Sequence, residues 1–372
     1  MFNIVSRNLS NLIGKRIKGK VVVFESDDWG SIRMPSKESF SRLEEAGLDL
    51  RSADAERFNL NDTLGTSEDL VKLFEVLSRH KDGFGNYAVF TPITIVANPI
   101  FDKIKESGFK EYYYEPFTTT LIKYKDCEQS FKLWKQGIEN KLFLPQMHGR
   151  EHLNVTAWID ALQAGDKFTM LAFTEGMWGF VPPKYPYVDY QAAFLFSDKK
   201  ELEYQKTVII DGLELFEKIF GYKAEYFVPP NGPFNNSLNR VLVEQGIRYR
   251  STSKFQIEPI GNGKTKKVLH YLGQKDSSGI TYITRNCFFE PNQYHKDWID
   301  SCLFDIKVAF NLNKPAIISS HRTNYIGALY PENRDNGIRQ LDLLLKAIMK
   351  SWPDVRFMTT PEIGKLINEN PK

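Results

Sequence analysis

The stretch "VVVFESDDWGSIR", residues 21–33, drives a β-branched apolar run straight into two adjacent acids. Val21 to Phe24 read as a buried strand, because β-branched and aromatic side chains suit a covered, pleated surface. Asp27 and Asp28 then stand at its end, where like charges repel and desolvation is costly. Such a pair needs a cation, a proton or solvent. Two acids followed by Gly30 also suit a solvated turn, and this stretch alone leaves both readings open.

Outward from 20–25, further strand-like runs lie at 87–96, 142–147, 224–228, 247–251, 280–284, 315–320 and 354–358. Helical periodicity fills the spaces between them. One helix opens at Thr66, three residues before Asp69 in the pattern of a capping box. Another ends at Gly221, and a third starts from Asn caps near 235 and stops at Gly246. This alternation predicts parallel βαβ units, and about seven or eight strands suit a distorted (β/α) barrel. No repeat, low-complexity tract or linker divides the chain. Residues 1–372 therefore read as a single α/β domain with a core of about 20–365 and insertions at about 31–86, 109–126 and 173–194. Long loops of this kind are more often lids or binding loops than accidents.

At 372 residues, 42% hydrophobic and 26% charged, the chain can bury a large core. The net charge is +3, and basic residues are spread out except in "GKRIKGK" (14–20) and "GKTKK" (263–267), which gives nucleic-acid binding little support. Cys127, Cys287 and Cys302 lie far apart, against a disulfide framework or a cysteine zinc site and in keeping with a reducing compartment. Polar residues interrupt the first twenty positions before any signal-peptide core forms, and no segment approaches a membrane span. The expected location is cytoplasmic. Oligomeric state is not legible.

A second signal is "LFLPQMHGREHLN" (142–154), where His148 and His152 are spaced to converge on one ion if the chain between them makes about a turn. Pro145 and Gly149 oppose a long helix, so the pair is expected where a strand ends, on the active face of a βα barrel. A third is "AEYFVPPNGPFN" (224–235), whose prolines fix the chain direction after a strand. In a fourth, "PAIISSHRTN" (315–324), a buried run delivers His321 to a strand end.

The ordered set "SDDWG", "HGREH", "FVPPNG", "KDW" and "SSHRTN" resembles the polysaccharide deacetylase family, the metal-dependent carbohydrate esterases with a nodulation-type chitooligosaccharide deacetylase domain. The resemblance covers roughly 20–365. It implies that Asp28, His148 and His152 hold a divalent metal, Zn²⁺ first and Co²⁺, Ni²⁺ or Mn²⁺ as alternatives. It further implies that Asp27 is the general base and His321 the acid, in removal of N- or O-linked acetyl groups from a carbohydrate. The opening pair is then explained: one Asp holds the metal while its neighbour moves a proton. The candidate substrate-binding residues are Pro230 and Asn231 of the third motif, Asp297 and Trp298 of "KDW", and Trp178. Asp297 is also matched to the aspartate that steadies the terminal His. Trp178 lies between glycines in "TEGMWGF" (174–180), which would let its indole stand exposed as a sugar platform or pack the loop down.

Val228 stands where the family has the Arg that tunes the base, and Asn231 replaces the family's aromatic residue. Arg150 and Arg285 are both candidate substitutes for that Arg. The missing Arg also motivates a rival reading, a catalytically silent glycan-binding barrel. A second rival takes His148 to His152 as the H-x-x-E-H of a zinc peptidase, which requires both His on one helix with Glu151 as base.

Overall fold

The computed structural model describes residues 11–52, 55–184, 189–294 and 296–369. The first ten residues, and part of the 173–194 loop, lie outside the described residues. In chain order the strands are β1 (Lys20–Trp29), β2 (Phe90–Ile95), β3 (Ala97–Pro99), β4 (Tyr114–Pro116), β5 (Gln146–Gly149), β6 (Tyr226–Phe227) and β7 (Tyr249–Ser251). They continue with β8 (Phe255–Gly261), β9 (Lys264–Leu269), β10 (Thr281–Ile283), β11 (Cys287–Phe288), β12 (Ala316–His321) and β13 (Val355–Phe357).

The main sheet runs β10-β7-β6-β5-β2-β1-β12-β11, every pairing parallel, with helices in the connections as the alternation predicted. β13 lies against Lys20–Val22 of β1, and β2 takes over higher up, from Phe24. The edge strands β10 and β11 are not joined, so the sheet is a curled half-barrel rather than a closed one. β1 is covered on both faces, which is why its sequence reads as an unbroken apolar run. Its alternation sorts the residues. Val21 and Val23 enter a cluster with Ile93, Tyr226, Tyr249, Ile283 and Ile317, while Val22 and Phe24 enter the larger cluster on the other face. The parity that carries Val21 and Val23 inward also carries Glu25 and Asp27 inward.

Local signals place the helices. Thr66 and Asp69 form the reciprocal capping box that opens Ser67–Arg79, and Gly221, at φ 79°, ends Glu201–Phe220. Asn235 caps the short turn that leads into Asn239–Glu244. Three features were not foreseen: the antiparallel β8–β9 hairpin, the β3–β4 pair and β11. Among the described residues no helix is long and apolar enough to cross a membrane.

Candidate active site

Asp27 and Asp28 both reach one cavity although successive strand residues should face opposite sides. A register shift between Ser26 and Trp29, with Asp28 at φ 75°, supplies the needed twist. Asp tolerates this left-handed conformation better than most residues, and the bulge turns its carboxylate to the side its neighbour already faces.

Asp28 Oδ1 lies 3.3 Å from both His148 Nε2 and His152 Nε2. One donor atom from each of the three residues falls within 4.8 Å of the others, and all three are buried. His148 Nδ1 donates to the Val228 carbonyl oxygen at 2.7 Å, which fixes the ring with Nε2 toward Asp28, the orientation a metal ligand needs. Val228 thus serves the site through its backbone. The His152 ring stacks on Trp178 with centroids 6.1 Å apart, and its Nδ1 has no hydrogen-bond partner among the described residues. Burial opposes ionisation of Asp28, but the two imidazoles beside it hold its carboxyl well below the usual carboxylate range. The donor set fits a divalent cation of the zinc type.

Asp27 is held by Arg285, whose guanidinium donates to Oδ1 at 2.6 Å and Oδ2 at 2.5 Å. The same guanidinium donates through Nε to Glu25 Oε2 at 2.5 Å, and Glu25 also accepts from Tyr226 and Thr360 hydroxyls. Burial dominates at Glu25 and raises its pKa, whereas at Asp27 Arg285 outweighs burial and lowers it. Arg285 is therefore the cation beside Asp27. Arg150 is not, because it pairs with Glu151 and Asp211.

His321 is the register partner of Asp27 across β1 and β12, and its Nε2 lies 3.9 Å from Asp27 Oδ2. Its Nδ1 donates to Glu290 Oε1 at 2.6 Å, and Arg57 and Asn324 hold the other Glu290 oxygen. Burial works against the imidazolium, yet Glu290, with Asp28 and Asp27 behind it, raises the His321 pKa to about 9. Burial is likewise overcome at Glu290, which His321 and Arg57 keep below the ordinary carboxylate value.

Asp27, Asp28, His148, His152, Arg285 and His321 line a cavity of about 380 Å³ together with Arg33, Phe58, Gln191, Pro229, Asn231 and Phe288. No protein-family model matches the chain, and no curated protein matches it. Solved structures do match. A protein of Parabacteroides distasonis described as a glycoside hydrolase/deacetylase aligns over 96% of this chain and 73% of its own, at 10% identity and a TM-score of 0.50. The chain is a divergent member of the deacetylase fold. Two proteins described as polysaccharide deacetylases align as well: one from Mycobacterium smegmatis over 96% and 95% of the two chains at 11% identity and a TM-score of 0.43, and one from Pseudomonas aeruginosa over 95% and 92% at 10% and 0.44.

On this deacetylase fold several expected residues fall elsewhere. Trp178 is 2% exposed and backs His152, so its indole offers no sugar platform. Pro230 is buried against Gly149 and turned from the cavity, whereas Asn231 does line it and donates to Asp189. Asp297 caps the helix Trp298–Asn311 and does not steady His321, a task that Glu290 takes. Trp298 is buried, donates to the Gln293 carbonyl and does not line the cavity. The peptidase reading also fails, because His148 ends a strand, no helix joins it to His152, and Glu151 is occupied by Arg150.

Proposed function

We propose that the protein is a metal-dependent hydrolase that removes N- or O-linked acetyl groups from a carbohydrate or glycan precursor. The observation that carries this reading is the meeting in one cavity of the Asp28–His148–His152 donor set, an Arg285-held Asp27 and a Glu290-held His321. A divalent cation held by that donor set would supply the Lewis acidity that polarises an acyl oxygen and acidifies water. Asp27, kept ionised by Arg285, accepts a proton as the base. His321, with Nδ1–H tied to Glu290, carries a proton on Nε2 toward the leaving amine or alkoxide. Arg285 also removes the motive for a silent binding barrel, since the missing cation is supplied from another strand end.

The test is release of acetate or free amine from acetylated saccharides by metal-loaded protein, beside the Asp27→Asn variant. Asp27→Asn is expected to keep its metal and lose about two to four decades of turnover. No release from any acetylated sugar, or loss of the metal in Asp27→Asn, would overturn the reading or the division of labour between the two aspartates.

A further inference from the structure

Arg33 stands apart from the other buried arginines. Arg150, Arg322 and Arg334 each pair with a carboxylate, to Glu151, Asp62 and Asp69. Arg250 has none but does not line the cavity, where its guanidinium would meet a ligand; it lies between the Phe234 and Tyr282 rings. Arg33 lines the cavity, is 7% exposed and has no carboxylate within ion-pair distance among the described residues. Among the described residues its guanidinium makes one hydrogen bond, to a neutral group, the Gln191 side-chain oxygen, and its Nε has no partner. The guanidinium lies over the Phe58 ring at 4.9 Å, and Phe58 in turn makes an edge contact with His321 at 5.3 Å, so the cation sits beside the proposed proton donor. Burial outweighs the surrounding carboxylates Asp62, Asp28 and Asp189 in lowering its pKa, the mark of a charge short of counter-charge.

A buried cation without a partner is costly, and a planar guanidinium is the donor best shaped for carboxylate or phosphate. We propose that Arg33 is the anion-binding group of this cleft and that the acylated sugar it accepts carries a carboxylate or a phosphate. This deepens, and rests on, the reading of the site as a deacetylating centre.

The experiment compares binding of N-acetylglucosamine, N-acetylglucosamine 1-phosphate and N-acetylmuramic acid by calorimetry to full-length protein, wild type and Arg33→Gln, at equal metal content. The wild type is expected to bind a charged ligand at least about tenfold more tightly than the neutral sugar, and Arg33→Gln to lose that preference. Preference for the phosphate sugar assigns a phosphorylated substrate, and preference for muramic acid a carboxylated one. Equal binding of all three by the wild type, or a preference that survives in a folded Arg33→Gln variant, would overturn the proposal. Should Arg33→Gln not fold, Arg33→Lys keeps the charge without the fork and must weaken the preference; an unchanged preference counts against Arg33. Charge-selective binding without acetate or amine release would sink the hydrolase reading and leave the anion site standing. Turnover without charge selectivity would do the reverse.

Discussion

At the scale of single residues, the site depends on two carboxylates given different partners, Asp28 among imidazoles and Asp27 on a guanidinium. Arg285→Lys keeps a positive charge but loses the two-pronged grip, so turnover should fall about a hundredfold with metal content unchanged; steady-state kinetics beside metal analysis would check it. Glu290→Gln removes the charge that stabilises the His321 imidazolium, so the His321 pKa must fall from about 9. An acid is active while protonated, so the alkaline limb of the pH–rate profile should move to lower pH in that variant. An unmoved limb would separate His321 from the acid role. Asp27, Asp28, His148 and His321 were legible because each stands at or near the end of a β run, and His152 because it lies four residues after His148. Glu25 was legible in principle, since it shares the inward parity of Asp27, but a lone acid in an apolar strand points at no partner. Glu290 was not, because it follows a two-residue strand that carries no periodic signal.

Elements tell a similar story. The loop after residue 173 does reach the cavity, but through Gln191, while its tryptophan turns inward onto His152. Trp178→Ala should therefore weaken metal binding by about tenfold or more, as loss of a ligand's support does, and leave the Michaelis constant nearly unchanged; metal titration and kinetics read the two effects separately. The β8–β9 hairpin, though not foreseen, carried a signal in Asn262 and Gly263, which stand at φ 55° and 67° as a tight hairpin turn demands. β6 is shorter than its apolar run, with Val228 spent on orienting His148. A loop staple marks the opposite end of the sheet. Asp82 accepts from the backbone N–H groups of Phe84, Asn86 and Phe357, tying its turn to β13. Burial resists its ionisation, but these donors lower its pKa. Its contribution to stability is then full above the ordinary carboxylate value and is lost as the pH falls through the lowered folded one. Asp82→Ala should cost about 1–3 kcal/mol at neutral pH, measured by denaturant unfolding, and less in strong acid.

Over the whole molecule, the strand–helix alternation was enough to foresee a parallel curled sheet, because each buried strand announces itself as an apolar run. The open edge between β10 and β11 was not legible, since pairing partners and closure depend on contacts remote in sequence. The same remoteness governs the site. All three candidate metal ligands precede residue 153, yet β1 is flanked by β12 and β13, and Thr360 donates to Glu25 across 335 residues at 2.8 Å. Removal of residues 360–369 should leave the ligands in the chain but unseat Glu25 and with it Arg285, abolishing turnover, which activity beside circular dichroism would register. For a ribosome making this protein, the order of manufacture then matters. The candidate ion-binding groups emerge early, and His321, the proposed proton donor, and Arg285, which braces Asp27, emerge late. On the proposed reading, a growing chain meets the cell's metals well before it possesses the groups to use one, and any chemistry would begin only after synthesis is nearly complete.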